Sequence, residues 1–132
     1  MANSILSGEL RSIRYESLND PNAGSIPSYR LDDLLAKRVA NERAMLIECD
    51  VEGAELEVLR GASDTLKRLR PDLMLSVHPH KDFGLVQYGH SKANVEAFLR
   101  AHDYAIDCIG IDHEEHWVCR SQGRSNVGPT ND

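Results

Sequence analysis

No stretch of this sequence approaches the roughly 20 successive apolar residues that a bilayer span requires, and its first residues lack the basic-then-apolar pattern of a leader. The expected compartment is cytoplasmic. Clustered positive charge is also missing: 15 Lys and Arg are scattered among 21 Asp and Glu, giving a formal charge of -6. Nucleic-acid affinity rests on gathered basic residues, so a phosphate-backbone binder is excluded. The local run Lys67-Arg68-Leu69-Arg70 reads as the positive end of a helix, where cations complement the macrodipole. The three cysteines, Cys49, Cys108 and Cys119, show neither CxxC spacing nor the density of a secreted scaffold, so reduced, packed thiols are expected. Internal repeats are absent too. What remains, 132 residues with 41% apolar content, suits one compact domain.

The apolar pattern predicts a mixed α/β order. Leu10 to Leu18 gives loose support for an N-terminal strand, and Asn19 to Gly24 carries the residue types of a loop. Leu31, Leu34, Leu35 and Val39 fall on one face of a short helix. Residues 44–50 are mostly apolar without alternation, as in a strand covered on both faces of a parallel sheet. Leu56, Leu59, Ala62, Leu66 and Leu69 then repeat at spacings of three and four, a stripe able to pack on the sheet. Gly61 interrupts that stripe, at a cost of about 1 kcal/mol against Ala, and Ser63 can cap a new helix, so two abutting helices are favoured.

Pro71 stops the helix, and Leu73 to His78 forms a second buried-type strand closed by Pro79. Strand, helix, strand is the βαβ signature. A polar loop from His80 to Gly89 precedes a helix over 91–102, with Ser91 as its cap. Tyr104 to Ile111 and Glu115 to Arg120 read as a hairpin closed at Asp112-His113-Glu114. The tail from Ser121 has the composition of a disordered segment.

The run from Asp50 to Ala62, DVEGAELEVLRGA, resembles the most recognisable segment of FkbM-type methyltransferases, enzymes that use S-adenosylmethionine to O-methylate hydroxyl groups. Leu31-Asp32-Asp33-Leu34, Arg70-Pro71-Asp72-Leu73 and Val77-His78-Pro79 support the resemblance in the family's order. It spans residues 26–120, the second half of the family's domain, with 1–25 as a separate N-terminal segment and 121–132 as the tail. The implied fold is part of a class I, Rossmann-like doubly wound sheet with a C-terminal antiparallel hairpin. Two positions depart from the family pattern: Glu48 stands where Lys is usual, and Ser76 where Glu is usual. The glycine-rich turn that normally holds the cofactor has no counterpart, since the sequence contains no GxG, and 25 residues are too few for the missing strands and helices. S-adenosylmethionine is thus the cofactor of the family domain, and this chain alone is expected not to bind it.

Asp50, Glu52 and Glu55 lie at or just after the carboxyl end of a strand, where ligands bind in open α/β sheets. The resemblance gives Asp50 a catalytic role toward the acceptor, with Glu52 and Glu55 as acceptor-binding or structural groups. The competing reading is capping, because an Asp followed by first-turn Glu is ordinary helix-start chemistry. His78 and His80 end the neighbouring strand; His78 is the candidate base, and His80 an acceptor-binding or structural group. Two His and two carboxylates could also hold a divalent metal. Pro79 stands between the two histidines and ends the strand there, however, and no metal is expected. His113-Glu114-Glu115-His116 lacks the spacing of a zinc helix and reads as a solvated turn.

The expected function is O-methylation of a hydroxyl on a sugar or small metabolite, here by an incomplete half-domain. The alternative is a noncatalytic interaction module that has lost the cofactor site. The expected partners are a small hydroxyl acceptor, no nucleic acid and no membrane. A homodimer or a complementing N-terminal half could join along the strand at 44–50, which would otherwise be an apolar sheet edge.

Overall fold

The structure, a computed structural model, describes residues 27–38, 45–79 and 85–122. The predicted strand at Leu10 to Leu18 and the candidate His80 lie outside them. Helix α1 (Leu31–Leu34), strand β1 (Leu46–Cys49), helices α2 (Glu55–Arg60) and α3 (Ser63–Arg68), strand β2 (Asp72–Val77), helix α4 (Lys92–Ala101) and strands β3 (Tyr104–Ile111) and β4 (Glu115–Ser121) follow in that order. The four described strands form one mixed sheet in the order β1-β2-β4-β3. β1 and β2 are parallel, as the predicted βαβ unit requires, and the C-terminal hairpin inserts β4 antiparallel beside β2. This α/β architecture is compatible with part of a Rossmann-like sheet. No described helix is long and apolar enough to cross a membrane.

Strand alternation decides where the core sits. Ile47 and Cys49 of β1, Leu73, Leu75 and Val77 of β2, and Trp117 and Cys119 of β4 are buried on one face, together with Leu56, Leu59, Leu66, Val95 and Leu99 of the helices. Successive strand residues point oppositely. Leu46, Glu48 and Met74 accordingly emerge on the other face, with Leu46 56% exposed. The apolar run at 44–50 predicts cover on both faces; among the described residues one face is open.

The polar loop expected over 80–89 contains a 3₁₀ turn, Leu85–Tyr88, whose Leu85 is fully buried. The apolar residues of this short segment show no helical or strand periodicity from which the burial of Leu85 could be read. Burial pushes the thiol of Cys119 up to about 12 and that of Cys49 further; with Cys108 they are all free, so packing explains the two buried ones.

The two short helices α2 and α3 break at Gly61-Ala62, as predicted, but Ser63 is not the cap. Its hydroxyl donates to the Arg60 carbonyl, and the α3 N-terminus is capped from far back in the chain. The Asp32 carboxylate accepts from the Asp64 and Thr65 amides at 3.1 and 2.8 Å, while the Asp32 amide donates to the Gly61 carbonyl at 2.9 Å. In return, the Arg68 guanidinium of α3 donates to the Leu35 carbonyl at 2.7 Å and to that of Arg38, satisfying carbonyls that the end of α1 leaves open. A four-residue helix has little stability of its own, so α1 and α3 hold each other. Leu31 and Leu35 complete the contact by entering the core, whereas Leu34, predicted to share their face, is exposed. At α4 the sequence reading holds: Ser91 and Asn94 form a reciprocal capping box.

Two stability measurements check this packing. Asp32→Ala is expected to cost about 0.5–2 kcal/mol, the usual loss for a helix cap, while Ser63→Ala costs less than about 0.5 kcal/mol. Urea unfolding that ranked Ser63 above Asp32 would return the cap to the local residue. Leu59→Ala is expected to cost about 2–5 kcal/mol, the range for a buried leucine.

Candidate functional site

β1 and β2 run parallel, so the residues that follow them, Asp50 and His78, emerge at the same rim. Between β1 and α2 the chain makes a turn in which Glu52 and Gly53 have φ of 53° and 106°. The second value lies where a side chain is strained, so glycine is required there. The turn places Glu55 at the start of α2, and its side chain is fully buried. A buried carboxylate must be partnered. The Gly53 amide donates to its Oε1 at 2.9 Å, and the same oxygen lies 2.6 Å from His78 Nδ1. An ionised carboxylate can only accept, which places a proton on Nδ1 and turns Nε2 outward. Oε2 of Glu55 has no hydrogen-bond partner among the described residues.

Nε2 faces two further carboxylates. Asp50 Oδ1 is 3.4 Å away, and Glu114 Oε2 forms a close contact with the same nitrogen. Antiparallel register explains the arrival of Glu114. Val77 pairs with Glu115, so continuing the ladder by one step sets Glu114 opposite His78. The turn holds it there, as the Glu114 amide donates to Asp112 Oδ1 at 2.9 Å. Glu114 Oε1 lies 3.8 Å from His116 Nε2 and 4.0 Å from His113 Nε2. The His78 side chain is 12% exposed, Glu114 10%, and Asp50 48%, so Asp50 is the member open to an incoming molecule.

Burial works against the charged form of His78, but its hydrogen bond to Glu55 and the charges of Glu55, Glu114 and Asp50 outweigh it and raise the imidazole above its usual range. Three carboxylates surround one imidazole. Among the described residues the Lys and Arg ion pairs run elsewhere, to Asp33, Glu57, Asp64, Glu96 and Glu115. Among the described residues the cluster therefore keeps an excess of negative charge even with His78 protonated.

The structure brings together Asp50, His78 and Glu55 of the residues singled out in the sequence. The α2 N-cap is Ala54, with no side-chain cap, so Asp50 does not serve as a helix cap. Glu55 is the anchor of the histidine, and Glu52 is exposed on the turn. Glu114 is the member that sequence reasoning missed. It was expected in a solvated turn, but the hairpin packs that turn against the end of β2, burying Glu114 and also Glu115, which pairs with Lys92 at 2.7 Å. Nothing in the local sequence announces this, because it depends on which strand the hairpin joins. The two departures from the family pattern, Glu48 and Ser76, alternate to the open face of the sheet, with Glu48 opposite Met74 and Ser76 opposite His116.

The family model described as the methyltransferase FkbM domain matches residues 3–106 of the chain. No curated protein and no solved structure gives a significant match.

The raised imidazole makes a pH prediction with a definite sign. A group whose folded pKa lies above its unfolded value contributes stability that is complete below the unfolded value, 6.5 for His, and is lost as pH rises through the folded value. Thermal unfolding of the wild-type chain between pH 6 and 8.5 is expected to show falling stability, while His78→Asn flattens the profile. Equal slopes for the two proteins would show that the surrounding carboxylates do not act on His78.

Proposed function

The chain belongs to the FkbM methyltransferase family, and from that membership we propose that it carries the acceptor side of a methyltransferase that uses S-adenosylmethionine to methylate a hydroxyl of a sugar or small metabolite. The observation that carries this reading is the histidine held through Nδ1 by a buried glutamate, with Nε2 turned toward a half-exposed aspartate at a strand-end rim. Ligands of open α/β sheets bind at such rims. A hydroxyl oxygen becomes a better nucleophile as its proton is drawn away, and a fixed cluster with excess negative charge draws it.

Each residue has a distinct part in this reading. Asp50, the exposed member, accepts the hydrogen bond of the acceptor hydroxyl and fixes the direction of its oxygen. His78 shares the proton with Asp50 through the 3.4 Å approach of Nε2. Glu55 prevents the ring from rotating and stabilises its charged form. Orientation of this kind supplies much of the rate in a group transfer between two bound partners.

S-adenosylmethionine supplies the methyl group in the family, but the described residues do not fit the cofactor itself. Its carboxylate calls for free amide donors, and at the turn before α2 the Gly53 amide is already taken by Glu55. The rim is anionic, and the sequence has no GxG.

Two measurements test the reading. In methyl transfer to a panel of hydroxylated sugars and small metabolites, measured with the intact protein, Asp50→Asn is expected to lower turnover by about 10²-fold or more. Its melting temperature should stay close to wild type, because the side chain is half exposed. Parallel losses of activity and stability, or wild-type turnover in the variant, would remove Asp50 from the site. Calorimetric titration of S-adenosylmethionine into these 132 residues is expected to show no micromolar binding. A micromolar site would mean that the cofactor is held by residues other than the glycine turn of the fold.

A further inference from the structure

Nε2 of His78 presents a chemical problem that a proton solves only in part. With Nδ1–H committed to Glu55, a neutral ring would aim the Nε2 lone pair at the oxygens of Asp50 and Glu114. Anions do not gather around a lone pair unless a positive centre lies between them. Protonation supplies one unit of charge against three carboxylates, one of them the fully buried Glu55, whose Oε2 has no partner among the described residues. No described Lys or Arg forms an ion pair with any of the three.

We propose that Asp50, His78 and Glu114 form a binding site for a divalent transition-metal cation, with Glu55 as the outer group that orients the histidine. The three donor atoms lie within 4.8 Å of one another. Two ligand atoms about 2.1 Å from a shared ion, set at a tetrahedral angle, are about 3.4 Å apart; Nε2 and Asp50 Oδ1 are 3.4 Å apart, and Glu114 Oε2, in close contact with Nε2, moves back to admit the ion. A metal-bound histidine usually donates its other ring N–H to a carboxylate, which fixes the tautomer and strengthens the ligand; the bond from His78 Nδ1 to Glu55 has that form. One imidazole with two carboxylates suits first-row dications such as Mn²⁺ and Zn²⁺ better than Mg²⁺ or Ca²⁺, which favour all-oxygen sets. The ligands come from three places in the chain: the end of β1, the end of β2 and the hairpin turn. The adjoining set Asp112, Glu114 and His116 shares Glu114 but lies on the exposed turn and has no buried carboxylate behind its histidine.

A cation here would face the acceptor through the half-exposed Asp50 edge and bind a hydroxyl oxygen. That role rests on the methyltransferase reading, whereas cation binding does not, and the experiment reads binding alone. Chelator-treated wild-type chain is titrated with Mn²⁺ and free Mn²⁺ is followed by its paramagnetic resonance, with Zn²⁺ as competitor and circular dichroism as the check on folding. One equivalent is expected to bind in the micromolar range. Asp50→Asn and Glu114→Gln, as well as Glu55→Gln, weaken it by about tenfold or more, and the surface control Glu96→Gln leaves it unchanged. Absence of binding by folded wild type up to millimolar Mn²⁺ and Zn²⁺ would overturn the site. So would binding that survives Asp50→Asn but is lost in Asp112→Asn, which would move the ion to the hairpin turn. Metal binding by the chain together with no methyl transfer once a cofactor-binding half is supplied would leave the site standing and overturn the methyltransferase reading instead.

Discussion

The buried carboxylate of Glu55 is the constraint on which the rest of the rim depends. It is fully enclosed, and a charge in that position is tolerated only when the surrounding groups are fixed to receive it. Two are: the Gly53 amide, which ties the glutamate to its own turn, and His78 Nδ1, which ties that turn to the end of β2. One oxygen thus links the beginning of α2 to the strand that α2 and α3 lead into. It also sets the tautomer and outward direction of the ring, so the chemistry offered to a ligand is decided by a residue that no ligand touches.

The fold supports this arrangement through contacts that are similarly reciprocal. α1 and α3 are too short to persist alone, and each supplies the polar group that closes the end of the other, Asp32 at one end and Arg68 at the other. Tyr104, entering β3, donates its buried hydroxyl to the Pro71 carbonyl just before β2 at 2.6 Å, joining the hairpin to the strand it flanks. The hairpin matters beyond its own stability. Because β4 rather than β3 lies against β2, its first residues face the end of β2 and deliver Glu114 to the rim.

What the sequence made legible was local. The two helices on either side of Gly61, the capping box at Ser91 and the hairpin between Tyr104 and Ser121 each follow from residues adjacent in the chain, and all are present. Asp50 and His78 were legible because parallel strands end at one rim, a consequence of the βαβ pattern alone. What stayed hidden was long-range. The cap of α3 comes from Asp32, the ring of His78 is opposed by Glu114, and Leu85 enters the core from a short segment without periodicity. Each depends on how separate elements dock. The open face carrying Leu46 and Met74 is a related case, since an uninterrupted apolar run does not disclose which side is covered.

The most direct measurement of the central interaction is the tautomer and titration of His78, read by nitrogen-15 resonance on ring-labelled, chelator-treated chain. With Glu55 in place the proton resides on Nδ1 and the ring titrates above the ordinary histidine range; in Glu55→Gln the titration falls. An Nε2-protonated neutral ring, or a titration indifferent to Glu55, would contradict the claim that this buried glutamate sets the chemistry of the rim.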